Sequence, residues 1–154
     1  LVILGSGELD AERFLVERAQ ERSDRMRAWI PFDDARAHRV QAGADFLLMP
    51  SRFEPCGLSQ LYALRYGTLP IVRSTGGLAD TVEPYDGAKG TGTGFRFDTP
   101  DGTGLMWAVD QALAAWKDRK AWGALVKRGM TRAFSWERSA REYVALYRRA
   151  MGKV

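Results

Sequence analysis

One cysteine and one histidine are all that the 154 residues contain of either type. A single thiol excludes an internal disulfide, and one Cys with one His cannot assemble a zinc cage of the usual ligand spacing. No zinc cofactor held by such ligands is therefore expected, and a reducing, cytoplasmic setting fits the shortage of thiols. Long apolar runs are also missing: none approaches the roughly 18 residues of a membrane-spanning helix. Leu1 to Gly7, followed by charged residues, lacks the layout of a signal peptide, so no membrane partner is expected. There is no initiator methionine ahead of the strand-like opening, which predicts a fragment of a longer chain. Acidic residues are in the minority, 19 against 23 Lys and Arg, for a net charge of +4. That excess favours an anionic partner without choosing between nucleic acid and a phosphorylated metabolite.

What is present describes a globular domain. Hydrophobic residues make up 45% and charged residues 27%, enough apolar material for a core and too much for global disorder. Leu1 to Leu4 reads as a strand stopped by Gly5-Ser6-Gly7, and Phe14, Leu15 and Ala19 mark one face of a helix running to about Glu21. Strands follow at 26–30, 46–49 and 69–72, interleaved with helices at 35–42, 58–66 and 78–82. This alternation implies right-handed βαβ crossovers, hence a Rossmann-like parallel sheet covered by helices on both faces. The Gly-, Thr- and Asp-rich stretch 84–94 predicts a mobile loop before a brief strand at 95–97. Three helices then close the chain, at 104–116, 121–133 and 136–150. In the last, Trp136, Ala140, Tyr143, Val144 and Tyr147 share a stripe, with Arg138, Arg141, Arg148 and Arg149 off it.

Several motifs invite functional readings. Gly5-Ser6-Gly7 lacks the third glycine of a dinucleotide fingerprint, the position being Asp10, so a tight strand-to-helix turn is the favoured use. The run Gly87 to Gly94 is glycine-rich but has no Lys-Ser/Thr ending and no following helix, and reads as a connector. The basic residues from Lys117 to Arg149, interleaved with aromatics, come without a nucleic-acid-binding signature; they read as solvated helix faces, and no nucleic-acid partner is expected. His38 has no carboxylate at a suggestive spacing and reads as a packed or surface side chain. The five tryptophans read as packing residues.

Two strand-to-helix turns carry more weight. Pro50 to Gly57 follows the third strand, and Ser74 to Gly77 follows the fourth. In an open parallel sheet the carboxyl ends of the strands are where ligands bind, because helix N-termini converge there with free N–H groups. Side by side, the turns would seat a diphosphate; as ordinary turns they would do nothing further, and the residues alone leave both open. Glu54, just before a helix, is accounted for by capping and the helix dipole. Cys56 is most simply a small buried residue, with a lowered thiol pKa at the helix terminus as the functional alternative.

The stretch PSRFEPCGLSQLYALRYGTLPIVRSTGGLADTV, residues 50–82, resembles the donor-site signature of bacterial glycogen synthases and plant starch synthases. The resemblance extends from LVILGSG through AHRVQAGADFLLMPS to FSWERSAREYVALYRR and so covers essentially the whole chain. It implies the GT-B fold, two Rossmann-like domains across a cleft, with this chain supplying most of the C-terminal one. On that basis residues 1–133 form the nucleotide-sugar-binding domain, incomplete at its N-terminus. Residues 134–154 form a helix that crosses back to the absent domain, and its uncovered stripe would favour self-association.

The implied activity is transfer of glucose from ADP-glucose to the non-reducing end of an α-1,4-glucan with retention of configuration, without a metal. Carried onto this sequence, Glu54 and Cys56 form the catalytic pair, with Glu54 on the glucose hydroxyls. Arg52, Gly57, Leu58 and Leu78 line the substrate, and Thr75, Gly76 and Gly77 present backbone N–H groups to the diphosphate. Phe32 falls where the family carries an aromatic beside adenine, and Tyr62 replaces a second glutamate found in many GT-B relatives at the ribose. The lysine-glycine donor loop, a histidine near the sugar and an Arg/Lys pair at the diphosphate would all precede Leu1. The isolated chain is thus expected to bind ADP weakly and in a salt-sensitive way, to meet the glucan acceptor mainly through the absent domain, and to make no glucan. The alternatives are a related retaining transferase using a UDP- or GDP-sugar, and a non-catalytic nucleotide- or glucan-binding module.

Overall fold

A computed structural model describes residues 1–152, except the side chain of Arg138; Lys153 and Val154, at the end of the expected C-terminal segment, lie outside the described residues. The chain divides into two units, Leu1–Asp45 and Phe46–Val154. The last helix falls within the second unit.

The first unit contains β1 (Val2–Leu4), α1 (Leu9–Glu21), β2 (Arg27–Trp29) and α2 (Asp34–Gly43). β1 and β2 pair in parallel, Ile3 opposite Ala28. Their connection is the Gly5-Ser6-Gly7 turn and α1. The turn is held locally: Gly7 N donates to Glu12 Oε1 at 2.8 Å, and Phe32 N donates to Ser6 Oγ at 3.2 Å. α2 starts where Asp33 accepts from Arg36 N at 2.8 Å, an Asp cap satisfying one of the orphan donors of the first turn.

The second unit contains β3 (Phe46–Met49), α3 (Ser59–Tyr66), β4 (Leu69–Arg73), α4 (Gly76–Thr81), β5 (Phe95–Phe97), α5 (Gly102–Lys117), α6 (Arg119–Thr131) and α7 (Trp136–Ala150). Its three strands pair in parallel in the order β3-β4-β5. Alternation along the central strand sends side chains to two cores. Leu69 and Ile71 join Leu64 of α3, Phe95 and Phe97 of β5, Ala108 and Ala112 of α5, and Trp122 and Leu125 of α6. Val72 turns the other way, onto Leu78 and Val82. Each fully buried Leu, Ile or Phe contributes about 1.5–3 kcal/mol, so the first core dominates the stability of this unit. Asp101 and Asp118 cap α5 and α6 by accepting from Gly104 N and from Lys120 and Ala121 N.

The expected α/β architecture with parallel strands is present, with β1 paired to β2 in the first unit and β3, β4 and β5 paired in the second. The stretch 84–94, expected to be mobile, is hydrogen-bonded. Asp86 and Thr91 exchange backbone hydrogen bonds at 3.2 Å, and Tyr85 N donates to Gly94 O at 2.8 Å. Asp86 Oδ1 accepts from Ala88 and Lys89 N, a side-chain-built turn that composition alone does not announce.

Candidate functional site

The two turns singled out by the sequence meet at the carboxyl end of the second unit's sheet. β3 ends at Met49 and feeds residues 50–58 into α3; β4 ends at Arg73 and feeds Ser74-Thr75 into α4. Their contact is backbone on backbone. A Cβ at Gly76 would lie 1.9 Å from Glu54 O, and one at Gly77 would lie 2.0 Å from Cys56 O. Only residues without a side chain allow this approach, and Gly76 also sits at φ +44°, in the left-handed region.

That contact changes which amides are available. Gly77 N–H, expected to face a diphosphate, donates instead to Glu54 O at 3.3 Å, and Thr75 N–H is taken by Arg73 O at 2.9 Å. Gly77 satisfies its donor on the loop packed against it, and Thr75 satisfies its own within the turn. Leu78, expected on the ligand side, is fully buried in the second core, and its N–H donates to Thr75 O at 3.1 Å. Gly76 N–H and the Thr75 hydroxyl make no hydrogen bond among the described residues and remain open to a ligand.

Glu54 does not cap α3. The helix begins five residues later at Ser59, and no side-chain cap bond forms there. Its carboxylate makes no hydrogen bond or ion pair among the described residues, although the residue is half-buried. Local sequence placed it near a helix start; the intervening Pro55 to Leu58 carries the helix start away from it. Cys56 is exposed rather than buried, its thiol 3.6 Å from Gly57 O. Arg52 and Leu58 are exposed on the same loop. Tyr62, on the following helix, is also exposed.

Sequence reasoning missed Arg73. Its Nε donates to Ser51 O at 2.7 Å, and a second guanidinium nitrogen donates to Arg52 O. Arg96, on β5, likewise donates to neutral oxygens, Ser74 Oγ at 3.1 Å and Ala79 O at 3.0 Å. Neither guanidinium pairs with a carboxylate among the described residues, so both leave positive charge beneath the turns. An arginine ending a strand or set within one reads from sequence as an ordinary alternation, which is why neither was flagged.

Phe32 belongs to the first unit, where its ring is exposed. His38 has a carboxylate neighbour after all, Asp34 Oδ1 at 3.9 Å, one helical turn away. Of the tryptophans, Trp122 is buried while Trp107 and Trp136 are exposed. The stripe of α7 is exposed at Trp136, Tyr143, Val144 and Tyr147, the two tyrosine rings 6.2 Å apart. No helix among the described residues is long and apolar enough to cross a membrane.

The parallel strands and the glycine turns at their carboxyl ends define a Rossmann-like α/β chain. Residues 1–128 match the family of glycosyl transferases group 1, and the chain belongs to that family. It is 55% identical over 148 residues to a glycogen synthase of Anaeromyxobacter sp. (strain Fw109-5), covering 96% of this chain and 31% of that protein. The catalytic domain of starch synthase IV from Arabidopsis thaliana, solved bound to ADP and acarbose, superposes with a TM-score of 0.85 at 37% identity, over 98% of this chain and 32% of that one. Sucrose-phosphate synthase from Thermosynechococcus elongatus gives a TM-score of 0.67 at 27% identity, over the full chain here and 39% there. The fold is that of the GT-B glycosyltransferases. The chain spans about a third of the length of the relatives it matches.

Proposed function

We propose that this chain is the donor-binding part of a glycogen synthase that moves glucose from ADP-glucose to the non-reducing 4-hydroxyl of an α-1,4-glucan with retention. One observation carries the reading: the unpaired carboxylate of Glu54 stands on a loop locked against the Gly76-Gly77 turn, in a chain similar to a starch synthase solved with ADP. Glu54 binds the glucose hydroxyls and fixes the ring, while Gly76 N–H and Thr75 Oγ meet the diphosphate. As the bond from C1 to the diphosphate oxygen breaks, negative charge grows on the departing oxygen. Donors already in place stabilise that charge more than they stabilise the intact donor, which is what lowers the barrier. The acceptor oxygen then bonds to C1, and its proton leaves with the diphosphate. Arg73 and Arg96 supply the background of positive charge, so no metal is assigned to this chain. The setting is cytoplasmic, and the exposed stripe of α7 is the surface through which the isolated chain self-associates.

Calorimetric titration of the chain with ADP, UDP and ADP-glucose tests this, for wild type and Glu54→Ala. Wild type is expected to bind ADP weakly, more weakly as salt is raised, and UDP more weakly still. Glu54→Ala is expected to lose affinity for ADP-glucose while ADP binding stays near wild type. A preference for UDP would move the chain to another branch of the family. Equal losses for ADP and ADP-glucose would remove Glu54 from the sugar.

A further inference from the structure

Gln60 lies in the first turn of α3, is completely buried, and has no part in the reading above. Its Nε2 donates to Gly57 O at 2.8 Å and to Cys56 O at 3.2 Å, and contacts Thr81 Oγ1 at 3.1 Å. Thr81, at the end of α4, donates its own hydroxyl to Gly77 O at 2.5 Å. Three carbonyls from two turns are thereby gathered on one pair of side chains. The orientation of the amide group is fixed chemically, since carbonyl oxygens require the NH2 end.

A trans peptide points its C=O and N–H in opposite directions. With the carbonyls of Cys56 and Gly57 pulled inward onto Gln60, the N–H groups of the same two peptide planes, those of Gly57 and Leu58, turn outward. Neither N–H has a partner among the described residues. Gly57 sits at φ +71° and Leu58 at φ −113°, ψ −29°. Successive left- and right-handed residues curl their N–H groups into a concavity suited to an anion. Gln60 Oε1, buried and without a partner, lies where a side chain on residue 57 would have to go, 2.6 Å from a Cβ built there.

We infer that Gln60 and Thr81 are positioning residues that rivet the two turns together, holding the Gly57 and Leu58 amides outward toward the diphosphate of a nucleotide sugar. The substrate class rests on the proposed function; the geometry of the rivet does not. Neither side chain touches the ligand.

The test compares wild type with Gln60→Met, Thr81→Val and Thr81→Ser. Folding is confirmed by thermal melting, and ADP affinity is read by titration. Gln60→Met keeps the shape but removes the donor, and Thr81→Val removes the hydroxyl. Each is expected to weaken ADP by about tenfold, the effect of unpairing a buried carbonyl and releasing the peptide it held. Thr81→Ser restores the hydroxyl and is expected to bind within about twofold of wild type, a rescue that mere loss of packing would not show. Folded Gln60→Met and Thr81→Val chains with wild-type affinity would overturn the inference. If wild type itself binds no ADP, the donor-site reading falls. The rivet is then decided by hydrogen-bond scalar couplings from Gln60 Nε2 to the Cys56 and Gly57 carbonyl carbons in the ligand-free chain. Their presence sustains it, and their absence overturns it.

Discussion

Residues 1–45 and the residues from Phe46 onward use the same strand–helix grammar but reach different ends. In the first unit no residue is buried, and Leu9, Phe14 and Trp29 remain exposed. The two aromatic rings are met by cations instead: Arg18 stands 5.5 Å from the Phe14 ring and Arg36 5.2 Å from Trp29. In the second unit rings meet rings, with Phe46 5.1 Å from Trp122 and Tyr85 5.6 Å from Phe95. The contrast shows that caps, periodicity and two paired strands suffice to specify elements. A core needs a third layer: α3, α5 and α6 stacked on the central strand of a sheet.

The sharpest way to break that contrast is to cut into the second unit's core. Leu125→Ala is expected to cost about 2–5 kcal/mol, read by urea denaturation, because the fully buried site leaves a cavity. A smaller but functionally complete effect is expected at Gly77. Gly77→Ala places a methyl against Cys56 O, should cost about 1–3 kcal/mol through forced displacement of the turn, and should abolish measurable ADP binding. In the first unit the equivalent large-to-small change should be mild. Phe14→Ala removes a half-exposed ring held by a surface arginine and is expected to cost under about 1 kcal/mol in the same assay. A cost as large as that of Leu125→Ala would mean the two units are not energetically distinct.

Hydrogen exchange sharpens the comparison without mutation. The β4 amides should exchange only through the largest openings, and those of β1 and β2 through smaller ones. The smallest effect concerns pH. The side-chain hydrogen bond from Lys89 holds the Asp86 carboxyl below its ordinary range. A lowered folded value means that its stabilisation is complete above the unfolded value and is lost as pH falls through the folded one. Asp86→Asn should therefore flatten a slight acid-side loss in the melting temperature while leaving neutral behaviour nearly unchanged.

Much of this protein was legible before folding was considered. β3, β5 and α7 occupy the residues that the sequence assigned to them, and the other elements differ by a few residues at their ends. The donor signature at 50–82 located both turns, because strand-glycine-helix junctions are written in contiguous residues. Two readings made from local position alone did not hold: Glu54 does not cap α3, and Cys56 is exposed rather than interior. Contacts across some twenty residues of chain shape the loop instead: Arg73 on Ser51, Gln60 on Thr81, Gly77 on Glu54. Sequence by itself determined the elements, their order and the place of the turns, since these follow from backbone propensity and periodicity within a few residues. Which peptide planes face outward, and which carboxylate stays unpaired, only the tertiary structure decided, because a hydrogen bond's direction is set by the partner that arrives from elsewhere in the chain.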